Sequence, residues 1–343
     1  MISLASNIGS ETSGRPYHDF VSFIGHLARE GRSIFFDPCQ GNNGDDLIII
    51  GAESVFSAVG IRVVDTPHAA DVIVINGGGM FVEGFIQGVT KVREYSEIFP
   101  DKPLCIGPQS FHLSSNTLRG AVLRRLAPLI VCVRETPSQE NLDKILSDLP
   151  RVEFLRDHDL AFQIPTTHPI FTRPRTEQHI LIVERLDGEH HSQAGRSLRH
   201  RRQPWHRRLA YWVLPTSTKQ LLRKRRQEAK SERITPYRLW VEKTISADFP
   251  QLAGLPRLAR DLSSREVASF EDFVNSVAAS ALVFTDRLHV GILAARMGKR
   301  TFLFEGSYHK CRGVYERSLA GFPNVTLVPP SVLKEQPAPV VSA

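Results

Sequence analysis

Thr285-Asp286-Arg287-Leu288-His289 closes an apolar run and opens a helical pattern. An arginine two places from a histidine at a strand's carboxyl end suits anchoring an anion and moving a proton. If a helix begins here, its first N–H groups and its dipole add to the arginine's attraction for an anion. Taken alone, such a histidine is equally a structural hydrogen-bonding residue. Arg134-Glu135 ends another apolar run in the same way; a surface salt bridge is the plainer account of that pair by itself. Glu305 and Lys310 follow a third run and are within reach of the same pocket, with His309 and Arg312 as weaker candidates.

Two glycine-rich loops lie upstream. Gly41-Asn42-Asn43-Gly44-Asp45-Asp46 holds residues that tolerate left-handed backbone, so several N–H groups can converge on one ligand. Asp45 and Asp46 open the following helix and disfavour a phosphate there; a sugar hydroxyl is the better partner for Asp45. Taken by itself, this loop is better accounted for by a plain strand–turn–helix connection. Gly77-Gly78-Gly79 follows Asn76 at a strand end, where a ligand or another backbone approaches closely. Neither GxGxxG nor GxxxxGK[ST] occurs, so no dinucleotide or P-loop fingerprint is present.

Asp157-His158-Asp159 has the look of a metal triplet, since residues i and i+2 of a strand share a face. No further His/Cys cluster completes a site, and no metal is expected. Asp159 reads instead as a cleft-facing substrate residue near a domain junction. Cys39, Cys105, Cys132 and Cys311 are scattered without CxxC spacing, which implies a reducing compartment and no disulfide frame.

Positioning these residues requires a particular scaffold. Apolar runs at 33–37, 61–64, 71–75, 103–106 and 129–133 alternate with helical patterns at 17–30, 46–59, 83–99, 117–127 and 138–146. Strands that are apolar throughout indicate a parallel sheet covered on both faces, with ligands beyond the strand carboxyl ends. A proline-rich stretch at 165–174 reads as a linker. A second alternating half follows: strand 179–183, helix 270–279, strand 281–284, helix 288–297 and strand 300–304. The expected fold class is α/β, with two Rossmann-like domains, 1–165 and 166–330, facing each other across a cleft. A loose tail is expected at 331–343.

With 343 residues, 41% hydrophobic and 23% charged, the chain is ordinary globular material. Its net charge of +7 is local: 196–233 holds 13 Lys and Arg against 2 Asp and Glu, leaving 30 basic and 34 acidic residues elsewhere. That removes most support for nucleic acid as a partner. The basic stretch belongs to an insertion at about 188–243, whose centre mixes Trp205, Leu209, Tyr211, Trp212 and Leu214 with arginines. Rings and aliphatics dipping among headgroups, with guanidinium groups on anionic lipid, would place it on a membrane surface. A solvated basic hairpin or a loop folded onto the body fits the same composition. No apolar run approaches the ~18 residues of a membrane span, and no signal peptide is evident, so the expected location is the cytoplasm.

In their order, the motifs resemble the polysaccharide pyruvyl transferase family: GNNGDDLI from Gly41, NGGGMF from Asn76, IGPQS from Ile106, VRETPSQENL from Val133, DLAF from Asp159, TDRLHVGILAARMGK from Thr285, and the Lys310 region. Each motif is degenerate; the ordered set is far more specific. The resemblance implies a GT-B-like pair of Rossmann domains. It also implies transfer of an enolpyruvyl unit from phosphoenolpyruvate to a sugar hydroxyl, forming a pyruvate ketal, without cofactor or metal. It casts His289 as the catalytic acid or base, with Arg134 and Arg287 holding the donor's carboxylate and phosphate. Asn42, Asn43, Gly44, Asp45, Gly77, Gly78, Gly79, Asp159, Glu305 and Lys310 complete the expected substrate site. The acceptor is a saccharide, free or lipid-linked. The basic insertion is not expected across the family, and Glu184-Arg185-Leu186-Asp187-Gly188-Glu189 matches only loosely. Two other readings remain at this stage: a GT-B glycosyltransferase using a nucleotide sugar, and a noncatalytic glycan- or membrane-binding protein.

Overall fold

The computed structural model describes residues 16–83, 87–114, 117–173, 176–185 and 235–334. Two wholly parallel sheets carry the chain. In the first, β1 (Ser33–Asp37), β2 (Arg62–Val63), β3 (Val72–Ile75), β5 (Leu104–His112), β6 (Leu129–Val133) and β7 (Val152–Arg156) lie in the order β2-β1-β3-β5-β6-β7, and β4 (Gly78–Val82) pairs with β5. In the second, β8 (His179–Val183), β9 (Arg257–Ala259), β10 (Ser280–Thr285), β11 (Arg300–Phe304) and β12 (Val325–Val328) lie in the order β12-β11-β10-β8-β9.

Period-two alternation sends successive side chains of each strand into opposite layers. Val72 and Val74 join the core beneath α1 (Phe20–Arg29) and α2 (Asn43–Val59), while Ile73 and Ile75 join the core of α3 (Gln87–Ile98), α4 (Thr117–Val122) and α5 (Thr136–Leu146). In the second sheet Ile180, Ile182, Leu282 and Phe284 face α6 (Pro236–Asp248). Leu181, Val183 and Val283 face α7 (Phe270–Ala278) and α8 (Leu288–Arg296).

The expected strands and helices are present, with informative shifts. α2 begins at Asn43, earlier than expected, because Asn42 caps it: the Asn42 side chain accepts from Gly44 N and the Asp45 carboxylate accepts from Asn42 N. α4 stops at Val122; beyond it, Leu126 N and Ala127 N both donate to the Pro100 carbonyl. Several elements were not foreseen. β4 starts inside the triple glycine, a composition poor in strand formers. β7 alternates apolar with charged residues, and β9 and β12 are short. α6 overlaps the end of the expected insertion at 188–243, and its Tyr237, Val241 and Ile245 are buried in the second core. The rest of the basic segment, 186–234, is outside the described residues. At the start of the expected tail, Ser331–Lys334 forms a short helix with Leu333 in the core.

The crossover between sheets is pinned. Leu160–Gln163 forms a 3-10 turn whose Leu160 carbonyl seats against Gly51 of α2, where a Cβ would lie 1.8 Å from that oxygen. Arg296 of α8 donates to the carbonyls of Ala161 at 2.7 Å and Ile164 at 2.5 Å. The proline-rich stretch is likewise anchored: Ile170 and Phe171 are buried in the second core, with the Arg296 guanidinium 4.4 Å from the Phe171 ring centroid.

Asp157, just after β7, ties α1 to this crossover by accepting from Val21 N at 3.3 Å, and it also accepts from His158 N at 2.7 Å. Burial, reinforced by Asp19, raises its carboxyl to about 6. The folded chain therefore favours the protonated form, and stability falls as pH rises from about 4 through 6. Asp157→Asn mimics that form. It is expected to raise stability by roughly 1–3 kcal/mol at pH 7 and to change little below pH ~4. Denaturant titrations at the two pH values check this; an equal effect at both would refute it.

Candidate active site

Both sheets reverse their direction of winding beside β1 and β8. The chain leaves β1 for β2 and returns past it to β3; it leaves β8 for β9 and returns past it to β10. Loops diverge at such switch points and open a crevice beyond the carboxyl ends. A cavity of about 540 Å³ lies there, a size that suits a small-molecule site. Its wall comes from segments that follow strands of both sheets: Cys39–Asn42 and Asp45 after β1, Gly77 after β3, Gly79 and Met80 of β4, Arg134 after β6, Arg185 after β8, Asp261 and Ser263–Glu266 after β9, Arg287–His289 after β10 and Lys310 after β11.

Five cations face it (Arg134, Arg185, Arg265, Arg287 and Lys310) against three carboxylates, Asp45, Asp261 and Glu266. Within and behind the wall Arg287 pairs with Asp261, Arg265 with Asp46 and Arg134 with Asp159, while Asp45 caps α2.

Arg134 is fully buried. Its Nε donates to Ser110 Oγ at 2.9 Å and its Nη1 to Asp159 Oδ2. Ser110 in turn donates to Glu135 Oε2 at 3.2 Å, and Glu135 also accepts from Ser138. Among the described residues Nη2 has no hydrogen-bond partner. A buried guanidinium nitrogen left in that state is destabilising unless a ligand or water completes it. Gly79 shows where a ligand would sit: a Cβ there would lie 3.9 Å from Arg134 Nη2 and 3.8 Å from Lys310 Nζ. The missing side chain leaves room for an anion between two cations.

Arg287 donates a double hydrogen bond to a partner the sequence did not reveal. Its Nε donates to Asp261 Oδ1 at 3.1 Å and its Nη2 to Oδ2, a fork that fixes the guanidinium plane. His289, on the first turn of α8, places Nε2 3.3 Å from Asp159 Oδ2. Asp159 Oδ1 accepts from Ala161 N at 2.9 Å. Burial alone would raise the Asp159 carboxyl, but the charges of His289 and Arg134 outweigh it and hold the group well below the usual carboxylate range.

Several expected contact residues are not on the cavity wall. Asn43 is buried, and its Nδ2 donates to the carbonyls of Leu262 at 2.8 Å and Ala268 at 2.9 Å, binding α2 to the loop after β9. Gly44 packs against His289, and Gly78, at φ 133°, packs over Ile48. Glu305 pairs with Arg312. Asp159 is fully buried and meets Arg134 and His289 in place of solvent. Asn42 and Asp45 do line the cavity, although both also cap α2. His309 Nε2 lies 3.5 Å from Glu135.

The Asp157-His158-Asp159 triplet diverges in three directions: to α1, to Ser318 Oγ at 2.8 Å and to Arg134. Among the described residues no His, Cys, Asp and Glu cluster has metal-binding geometry. Cys39, at φ 49°, is a wall residue whose thiol is pushed up to about 12, by burial first and by Asp37, so it is a poor nucleophile.

Arg185 and Asp261 were missed for different reasons. Arg185 follows an apolar strand just as Arg134 does, and the same signal would have found it. Asp261 follows a three-residue edge strand that leaves no periodic trace.

Among solved structures, a functionally uncharacterized protein from Klebsiella pneumoniae subsp. pneumoniae is similar in fold, with a TM-score of 0.56 at 15% identity, covering 89% of this chain and 96% of that one. No curated protein matched. Among the described residues no helix is long and apolar enough to cross a membrane. The profile of the polysaccharide pyruvyl transferases matches residues 37–308, which takes in every cavity-wall residue except Lys310. Nothing in these likenesses supports the nucleotide-sugar alternative. By the extent of that match, the chain belongs to the polysaccharide pyruvyl transferase family, whose members act in the pyruvylation of polysaccharides.

Proposed function

We propose that this protein transfers the enolpyruvyl unit of phosphoenolpyruvate to a saccharide acceptor, forming a pyruvate ketal. One observation carries the reading: Arg134 Nη2, buried and without a partner among the described residues, converges with Lys310 Nζ above Gly79, in the cavity that also holds Arg287 and His289. A small acid with both carboxylate and phosphate groups suits such a cluster of cations. The His289 imidazolium would protonate the donor's methylene carbon, and a sugar hydroxyl would add to the neighbouring carbon. Phosphate leaves with the C–O bonding pair, a second hydroxyl closes the ketal, and the two hydroxyl protons are released. The guanidinium groups hold negative charge throughout. In the same reading the two sheets belong to two Rossmann-like halves in a GT-B-like arrangement. The basic segment at 196–233 would rest on the anionic inner face of the cell membrane, beside a lipid-linked acceptor.

Phosphoenolpyruvate with a panel of acceptors is expected to give phosphate release together with a new acid-labile carboxylate on the sugar; neither product across a broad panel would refute the proposal. His289→Ala should lower kcat by at least about 10²-fold with the circular dichroism spectrum preserved. Arg134→Lys retains charge but cannot satisfy Ser110, Asp159 and a ligand together. It should raise the KM for phosphoenolpyruvate about tenfold or more. Deleting 196–233 is expected to abolish co-sedimentation with anionic liposomes while leaving turnover of a soluble acceptor; undiminished sedimentation would dismiss the membrane role.

A further inference from the structure

We propose that Asp159 is the positioning residue of this site: a single carboxylate oxygen holds the His289 ring with its proton on Nε2 and holds Arg134 beside it, leaving Nδ1 as the nitrogen that exchanges a proton with ligand. The part concerning ligand rests on the reading above; the part concerning the ring does not.

The geometry points there by elimination. Asp159 Oδ2 is shared between Arg134 Nη1 and His289 Nε2, while Oδ1 is fixed by Ala161 N. The carboxyl group is fully buried and held ionised beside Arg134 and His289, so it can only accept hydrogen bonds. A neutral imidazole 3.3 Å away must therefore present an N–H at Nε2. Nδ1 has no hydrogen bond among the described residues. Its flank is backbone: a Cβ on Gly44 would stand 2.7 Å from Nδ1, so a side chain there would press on that nitrogen. The carboxylate itself cannot swing, because it caps the 3-10 turn of Leu160–Gln163, whose first carbonyl is wedged against Gly51. Asp159 thus lies on neither sheet and registers a group from each.

Histidine-labelled protein examined by two-bond ¹H–¹⁵N correlation reads the proton's place directly, with the His289 signals assigned by their loss in His289→Gln. The wild type is expected to show a protonated Nε2 and an unprotonated Nδ1 when the ring is neutral. Asp159→Ala is expected to return the ring to an ordinary tautomer mixture and to lower kcat about 10- to 100-fold per folded molecule. A residue that merely supported the fold would reduce folded yield without moving the proton. A wild-type proton on Nδ1, or an unchanged tautomer in Asp159→Ala, overturns the proposal. Should Asp159→Ala not fold, the wild-type spectrum alone decides. A chain that ignores phosphoenolpyruvate yet shows the Nε2–H tautomer would refute the proposed reaction and leave the role of Asp159 standing.

Discussion

One ionised carboxylate, sealed from water, ties together side chains that follow strands of both sheets. Taking charge out of water is expensive, and a buried ion persists only where opposite charge and hydrogen bonds compensate it. Asp159 meets that demand with Arg134 from the first sheet and His289 from the second. The dependence is mutual, since Arg134 is itself fully buried and, besides Asp159, has only the Glu135 carboxylate at 3.8 Å beside it among the described residues. Neither group can drift far while the other is in place. The low local dielectric that makes burial costly also strengthens their attraction.

Around this centre the fold supplies rigid anchors. Arg134 leaves the end of a strand buried along its whole length, and His289 sits on the first turn of a helix whose buried face fills the second core. Asn43 joins the amino end of α2 to the loop after β9 through two hydrogen bonds to carbonyls. That loop carries Asp261, which orients Arg287. The two arginines are thus fixed by separate partners, and each guanidinium plane is set by protein groups.

How much of this could be read from the chain depended on distance along it. Arg287 and His289 announce themselves because both stand where an apolar strand gives way to a helical pattern, and Arg134 stands at another strand end. The bond between His289 and Asp159 spans 130 positions, and no local pattern encodes it. Asp159 therefore reads from sequence as a cleft residue, whereas burial gives it an internal role. Asn43 illustrates the converse. Its loop has the composition of a ligand turn, but capping and interlobe carbonyls claim its polar groups. β4 escaped notice because the triple glycine carries no strand propensity; pairing with β5 imposes the extended form.

The cavity wall is assembled from many short segments, each leaving its own strand. The linked trio of Arg134, Asp159 and His289 draws on only three stretches of chain, and wall positions such as Gln40, Met80 and Gln87 lie outside all three. Substitutions at those positions can reshape the opening without disturbing the ionic centre. Such a layout separates the shape of the mouth from the charged linkage behind it, so the one can vary while the other stays intact.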